Sequence, residues 1–162
     1  MKTAVVYYSL EGNTDFVAQA ISESVGAELI RLCPKKDIAR EGFMRYLSGG
    51  KQVFKKEKPE LEPLSENPED YDVLFVGTPV WAGSFAPALA SFFADVNLSG
   101  KKIALFTCHR GGPGKAAQRM REALKGNEII GETEFVGDPL RNNSEEGREK
   151  AIQWAQEVTQ NL

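Results

Sequence analysis

At 162 residues, 41% hydrophobic and 27% charged, the chain suits one globular domain with a substantial core and is too short for two. A net charge of −3 gives no reason to expect nucleic acid, and two distant cysteines with a single histidine suggest neither a disulfide scaffold nor a zinc site. No segment approaches transmembrane length and the opening apolar run is too short for a signal-peptide core, so a cytoplasmic domain, monomeric or weakly dimeric, is expected.

The chain opens on an apolar, β-branched and aromatic run, Thr3 to Tyr8, that reads as a strand. A polar turn follows, Ser9-Leu10-Glu11-Gly12-Asn13-Thr14. Phe16, Val17, Ala20, Ile21 and Val25 then recur at helical spacing, with Gly26 as the expected C-cap. Ala27 to Leu32 reads as a second strand, closed by Cys33-Pro34. From Pro34 to Pro59 the chain is rich in Lys and Arg, and Ile38, Phe43, Met44, Tyr46 and Leu47 can line a second helix before Gly49-Gly50. That basic segment fits a docking surface and a plain solvated helix equally well. Pro59 to Asp72 reverses the sign, with six acids, no base and three prolines, and reads as a surface connection. Its acids are either simply solvated or steer basic partners.

Val73 to Gly77 is an unbroken apolar run, as expected of a strand covered on both faces. Thr78 to Pro87 reads as a loop carrying Trp81. Phe85, Leu89, Phe92, Phe93 and Val96 form the next helical face, and Ile103 to Thr107 a fourth strand. A glycine-rich loop follows from Cys108 to Gly114. Ala116, Ala117, Met120 and Leu124 mark a helix ending near Gly126-Asn127, and Glu128 to Val136 a fifth strand. After Gly137-Asp138-Pro139 and a polar loop, Ala151, Ala155, Val158 and Leu162 mark a terminal helix capped at Asn143 or Ser144.

Five strands alternating with helices predict a three-layer α/β fold: a doubly wound, five-stranded parallel sheet with right-handed crossovers and strand order 2-1-3-4-5. Ligands of such sheets sit beyond the carboxyl ends of the strands. Three loops meet there, Ser9–Thr14, Thr78–Gly83 and Cys108–Gly114, and these are the three with unusual chemistry. The first offers hydroxyl and amide donors at a helix N-terminus, which suits a phosphate monoester; the plainer alternative is that Asn13 or Thr14 only caps the helix. It has neither the lysine of a nucleoside-triphosphate loop nor the three glycines of a dinucleotide fingerprint. Trp81 offers a flat face for stacking on a ring, or else packs a hinge. Thr78 and nearby amides can bond the ring's polar edge, and the glycines of the third loop admit a flat ligand closely. Cys108 is expected to pack, lacking a base to activate it. His109 lacks partners for a metal. A receiver-type signalling domain of the same topology would need an aspartate at the end of strand three, where Thr78-Pro79 stands.

The pieces Tyr8-Ser-Leu-Glu-Gly-Asn-Thr14 and Gly77-Thr-Pro-Val-Trp-Ala-Gly83, with the glycine-rich third loop, resemble those of flavodoxins, and the resemblance spans nearly the whole chain. It implies FMN as cofactor, gripped through its phosphate by Ser9, Leu10, Glu11, Gly12, Asn13 and Thr14. Thr78, Pro79, Val80, Trp81, Ala82 and Gly83 would then lie along the ring on one side and Cys108, His109, Arg110, Gly111 and Gly112 on the other. It further implies an electron shuttle whose redox partners dock at the flavin edge. One departure is plain: where long-chain members carry an acidic, tyrosine-bearing third loop, this chain has Cys108, His109 and Arg110. An inward-facing Arg110 or His109 would favour anionic reduced flavin and raise its potential; a solvated Arg110 would not. An open flavin face would suit the alternative, an FMN-dependent NAD(P)H or quinone oxidoreductase of similar fold. The peptide expected to flip beside the flavin lies near Ala82-Gly83.

Overall fold

The computed structural model describes residues 1–37 and 58–162. The helix expected over Ile38 to Leu47 lies outside them. In chain order the elements are β1 (Thr3–Tyr7), α1 (Asn13–Val25), β2 (Glu28–Arg31), a 3-10 turn (Pro68–Asp70), β3 (Val73–Trp81), β4 (Ser84–Phe85), α2 (Pro87–Asp95), β5 (Lys102–His109), α3 (Ala116–Ala123), β6 (Glu128–Val136) and α4 (Ser144–Gln160). The parallel strands run β2-β1-β3-β5-β6, the expected order with the short β4 added antiparallel to β3.

Alternation along each strand divides the core in two. Val6, Leu74, Val76, Ile103 and Leu105 face Leu89 and Phe92 of α2 and Met120 of α3. Val5, Val73, Phe75, Ala104 and Phe106 face Val17 and Ile21 of α1 and Ala151, Ala155 and Val158 of α4. Each fully buried Val, Leu, Ile, Phe or Met among these contributes roughly 1.5–3 kcal/mol. Trp154 stands edge-on to Phe75, with ring centroids 5.5 Å apart, and also meets Phe106. Two glycines make the second layer possible. The Phe106 ring lies where a Cβ on its cross-strand neighbour Gly77 would be, 2.0 Å from Cζ. Gly131, at the register shift between β5 and β6, admits Val158 and the Trp154 indole.

Two boundaries differ from expectation, each because strand pairing outruns the local sequence. Thr78, Pro79, Val80 and Trp81 are not loop but the end of β3, and Val80 and Trp81 pair with Phe85 and Ser84 in a tight hairpin. Cys108 and His109 likewise belong to β5, paired with Phe135 and Val136 of β6. Asn143 stands at the start of α4 with φ 54, but its side chain makes no cap hydrogen bond. Gly26 caps α1 in the left-handed conformation as expected, and β6 has the expected bounds. Among the described residues no helix is long and apolar enough to cross a membrane.

Candidate functional site

The β1–α1 turn is built to leave amides open. Gly12 takes φ 102 and starts α1 without a side-chain cap, so neither Asn13 nor Thr14 serves as one. The Gly12 amide donates to Ser9 Oγ at 3.2 Å and the Phe16 amide to Gly12 O at 2.9 Å. The amides of the first turn between them have no intrahelical acceptor and sit at the positive end of the helix dipole. Asp15, in that turn, would repel an anion by itself. Its carboxylate accepts from Tyr7 Oη at 2.5 Å and faces Arg31 at 3.5 Å, and Arg31 also donates to Ser9 O at 3.1 Å. Burial, then the bond to Asp15, holds the Tyr7 hydroxyl well above the usual phenol range. The local acid is thus compensated.

The second loop shrinks to Ala82-Gly83. Both have positive φ, 46 and 72, the mark of a type I′ hairpin turn. Thr78, fully buried, donates to Pro79 O and accepts from the Ala86 amide, so its hydroxyl braces the hairpin and the start of α2. Trp81 is half-buried and meets Tyr8 edge-on, with centroids 5.5 Å apart. With Tyr8, Lys36, Asp37 and Pro87 it lines a shallow cleft, where Tyr8 Oη donates to Asp37 at 2.7 Å.

The third loop is pinned from beneath. The Gly112 amide donates to His109 Nδ1 at 3.1 Å, so the proton of the neutral ring lies on Nε2, which faces Glu134 at 3.0 Å. His109 is buried by these contacts and turned toward β6. Cys108 is buried too, its thiol pushed up to about 12 by burial despite a hydrogen bond from Thr14. Arg110 reaches sideways, to Glu11 at 3.1 Å and Asp138 at 2.7 Å. Its charge is met by two acids. Above Gly111 and Gly112 the space is open to 4 Å where their Cβ atoms would be.

The three segments therefore touch in a ring. Tyr8 meets Trp81, the Lys115 amide donates to Gly83 O at 2.7 Å, and Arg110 bridges to Glu11. Sequence reasoning missed a fourth segment, Gly137 to Asn143. The Leu140 amide donates to Asn13 Oδ1 at 3.1 Å, and Leu140 Cδ2 covers Gly12, 3.0 Å from where a Cβ would be. Arg141 donates to Asp138 at 3.1 Å and reaches Glu11 O. The available signal was topological: the turn after β6 also lies at the carboxyl edge. The acids of Pro59 to Asp72 are partly spent locally, Glu60 on Lys35, Glu69 on the Asn97 amide and Asp72 on the Lys2 amide.

The doubly wound parallel sheet defines a class whose ligands sit beyond the carboxyl ends of the strands, and the β1–α1, β3–β4 and β5–α3 turns meet there, at the switch between β1 and β3. The flavodoxin family model matches residues 2–157, and the chain belongs to that family. Its fold is similar to that of a flavoprotein from Lactobacillus acidophilus in complex with FMN (TM-score 0.72, 21% identity, covering 95% of this chain and 98% of that one). A flavoprotein from Bacteroides uniformis (TM-score 0.76, 20% identity, 96% and 97%) and oxidised flavodoxin 1 from Bacillus cereus (TM-score 0.63, 20% identity, 100% and 99%) share it as well. A search of curated proteins gives no match.

Proposed function

We propose that this protein binds FMN and works as an electron-transfer shuttle between redox partners. The observation that carries the reading is the ring of contacts joining the β1–α1 turn, the Trp81 hairpin and the glycine loop around one edge of the sheet. The donor set fits the cofactor: helix amides and Ser9 suit a phosphate dianion, and glycines opposite an indole suit a flat ring. FMN supplies the electron-accepting and electron-donating chemistry when bound. The chain orients it. Ser9 and the first amides of α1 hold the phosphate, Trp81 flanks the ring, and the Gly111-Gly112 backbone lines the other side. Arg110, already bridging Glu11 and Asp138, adds little uncompensated charge. Partners dock where the ring edge is exposed, and the protein acts as a monomer or weak dimer.

A second reading, an FMN-dependent NAD(P)H or quinone oxidoreductase, is favoured by one observation. The only aromatic side chain of the third loop, His109, is turned to Glu134, and no described atom lies within 4 Å of where a Cβ on Gly111 or Gly112 would be. That leaves room for a second planar substrate. The purified protein, reconstituted with FMN, should show flavin absorption bands that weaken in Trp81→Ala. Steady-state NADPH oxidation with quinone as acceptor should be negligible; sustained turnover would favour the oxidoreductase.

A further inference from the structure

We propose that the segment Gly137–Asn143 is a strap that sets the shape of the phosphate-binding turn, with Asp138 as its positioning residue. The inference rests on the FMN reading given above. Three separate contacts run from the strap to the β1–α1 turn. The Leu140 amide occupies Asn13 Oδ1, Leu140 Cδ2 packs on Gly12, and Arg141 reaches Glu11 O. Asn13 therefore acts on the turn from behind: the oxygen that its side chain would turn to a donor is already taken. Asp138 ties these contacts together. Its side chain, 12% exposed, accepts from Arg110 at 2.7 Å and from Arg141 at 3.1 Å, and accepts the Arg141 amide at 3.3 Å. Arg110 carries the link back to Glu11 at 3.1 Å. Asp138 touches none of the residues expected to meet the flavin ring except Arg110, so its effect falls on the phosphate end.

Partial burial raises the Asp138 carboxyl, but the hydrogen bonds and charges of Arg141 and the charge of Arg110 outweigh it and hold the group below the ordinary carboxylate range. A depressed value means the ionised form is the one the fold uses. Its contribution is present above the unfolded value and is lost as pH falls through the folded one.

The test compares FMN with riboflavin, which lacks the phosphate, by quenching of flavin fluorescence. Asp138→Asn should weaken FMN binding about tenfold, the size expected for losing one hydrogen-bonded ion partner, and leave riboflavin unchanged. Arg141→Gln breaks the Asp138 bridge at an exposed residue outside the flavin site, so it reads the link should Asp138→Asn fail to fold; it should weaken FMN selectively and less. Equal losses for both ligands, or no loss for either, would overturn the strap. If the wild-type protein takes up no FMN, the cofactor reading fails and the strap is judged alone. Amide hydrogen exchange over residues 10–15 of the flavin-free protein should then be faster in Asp138→Asn, and unchanged exchange would overturn it.

Discussion

Cys108 and Cys33 share a side-chain chemistry and differ in everything around it. Cys33 is exposed, whereas Cys108 sits in the core with its thiol pushed by burial from 9.0 up to about 12. Thiolate, not thiol, attacks a disulfide reagent. Titration with such a reagent at pH 8 should therefore modify one cysteine promptly and the second only in denaturant. A raised value in the fold also fixes the direction of the pH dependence. Cys108 stays protonated in the fold while the unfolded chain ionises, so stability present below pH 9 falls as pH rises toward 12, by up to about 1.4 kcal/mol per pH unit. Tyr7, whose hydroxyl is also raised, pulls the same way. Urea denaturation at pH 8 and pH 10.5 should show a smaller difference for Cys108→Ala than for the wild type.

Ala82 poses the opposite problem at the same scale. Its φ of 46 places an L side chain in the left-handed region, at a cost of roughly 1–2 kcal/mol. Ala82→Gly removes that strain but loosens the unfolded chain, so a net gain of roughly 0.5–1 kcal/mol is expected from thermal unfolding.

Among the elements, β3 and β5 carry the candidate site because they carry the core. Gly77 belongs to both roles: it holds the Phe106 ring against the sheet four residues before Trp81. Gly77→Ala would put a Cβ 2.0 Å from that ring. Overpacking of this kind costs about 1–3 kcal/mol, and with a cross-strand neighbour that cannot yield, the upper end is expected as a lower urea midpoint at unchanged slope. The same elements show what a reader of the sequence can and cannot see. Glu128 to Val136 was legible as a strand because β-branched residues run between a Gly-Asn stop and a Gly-Asp-Pro turn. The end of β3 was not, because Thr78-Pro79 looks like a turn until β5 is placed alongside and pairs Pro79 with Cys108. The three loops could be assembled from topology. The strap could not, since Asn13 and Leu140 lie 127 positions apart and nothing local marks either as the other's partner.

For the molecule as a whole, cofactor binding and folding are one equilibrium. A ligand that binds only the folded chain stabilises it by about 2.7 kcal/mol at a hundredfold excess over its dissociation constant. For a chain of this size that is a rise of roughly 5–10 °C in the melting temperature. FMN should produce it, riboflavin should produce less, and differential scanning fluorimetry distinguishes the two. A protein that melts at the same temperature with and without FMN would not be using the carboxyl edge as proposed.

The two tryptophans lie on opposite sides of the sheet. Trp81 packs with the layer under α2 and α3 beside Tyr8, whereas Trp154 packs in the other layer against Phe75 and Phe106. An acceptor held at the carboxyl edge would draw excitation energy first from the nearer indole, and loss of the fold would change the emission of the farther one. Replacing either with phenylalanine would leave a chain with a single tryptophan, so that occupancy could be followed in the variant that keeps Trp81 and unfolding in the one that keeps Trp154.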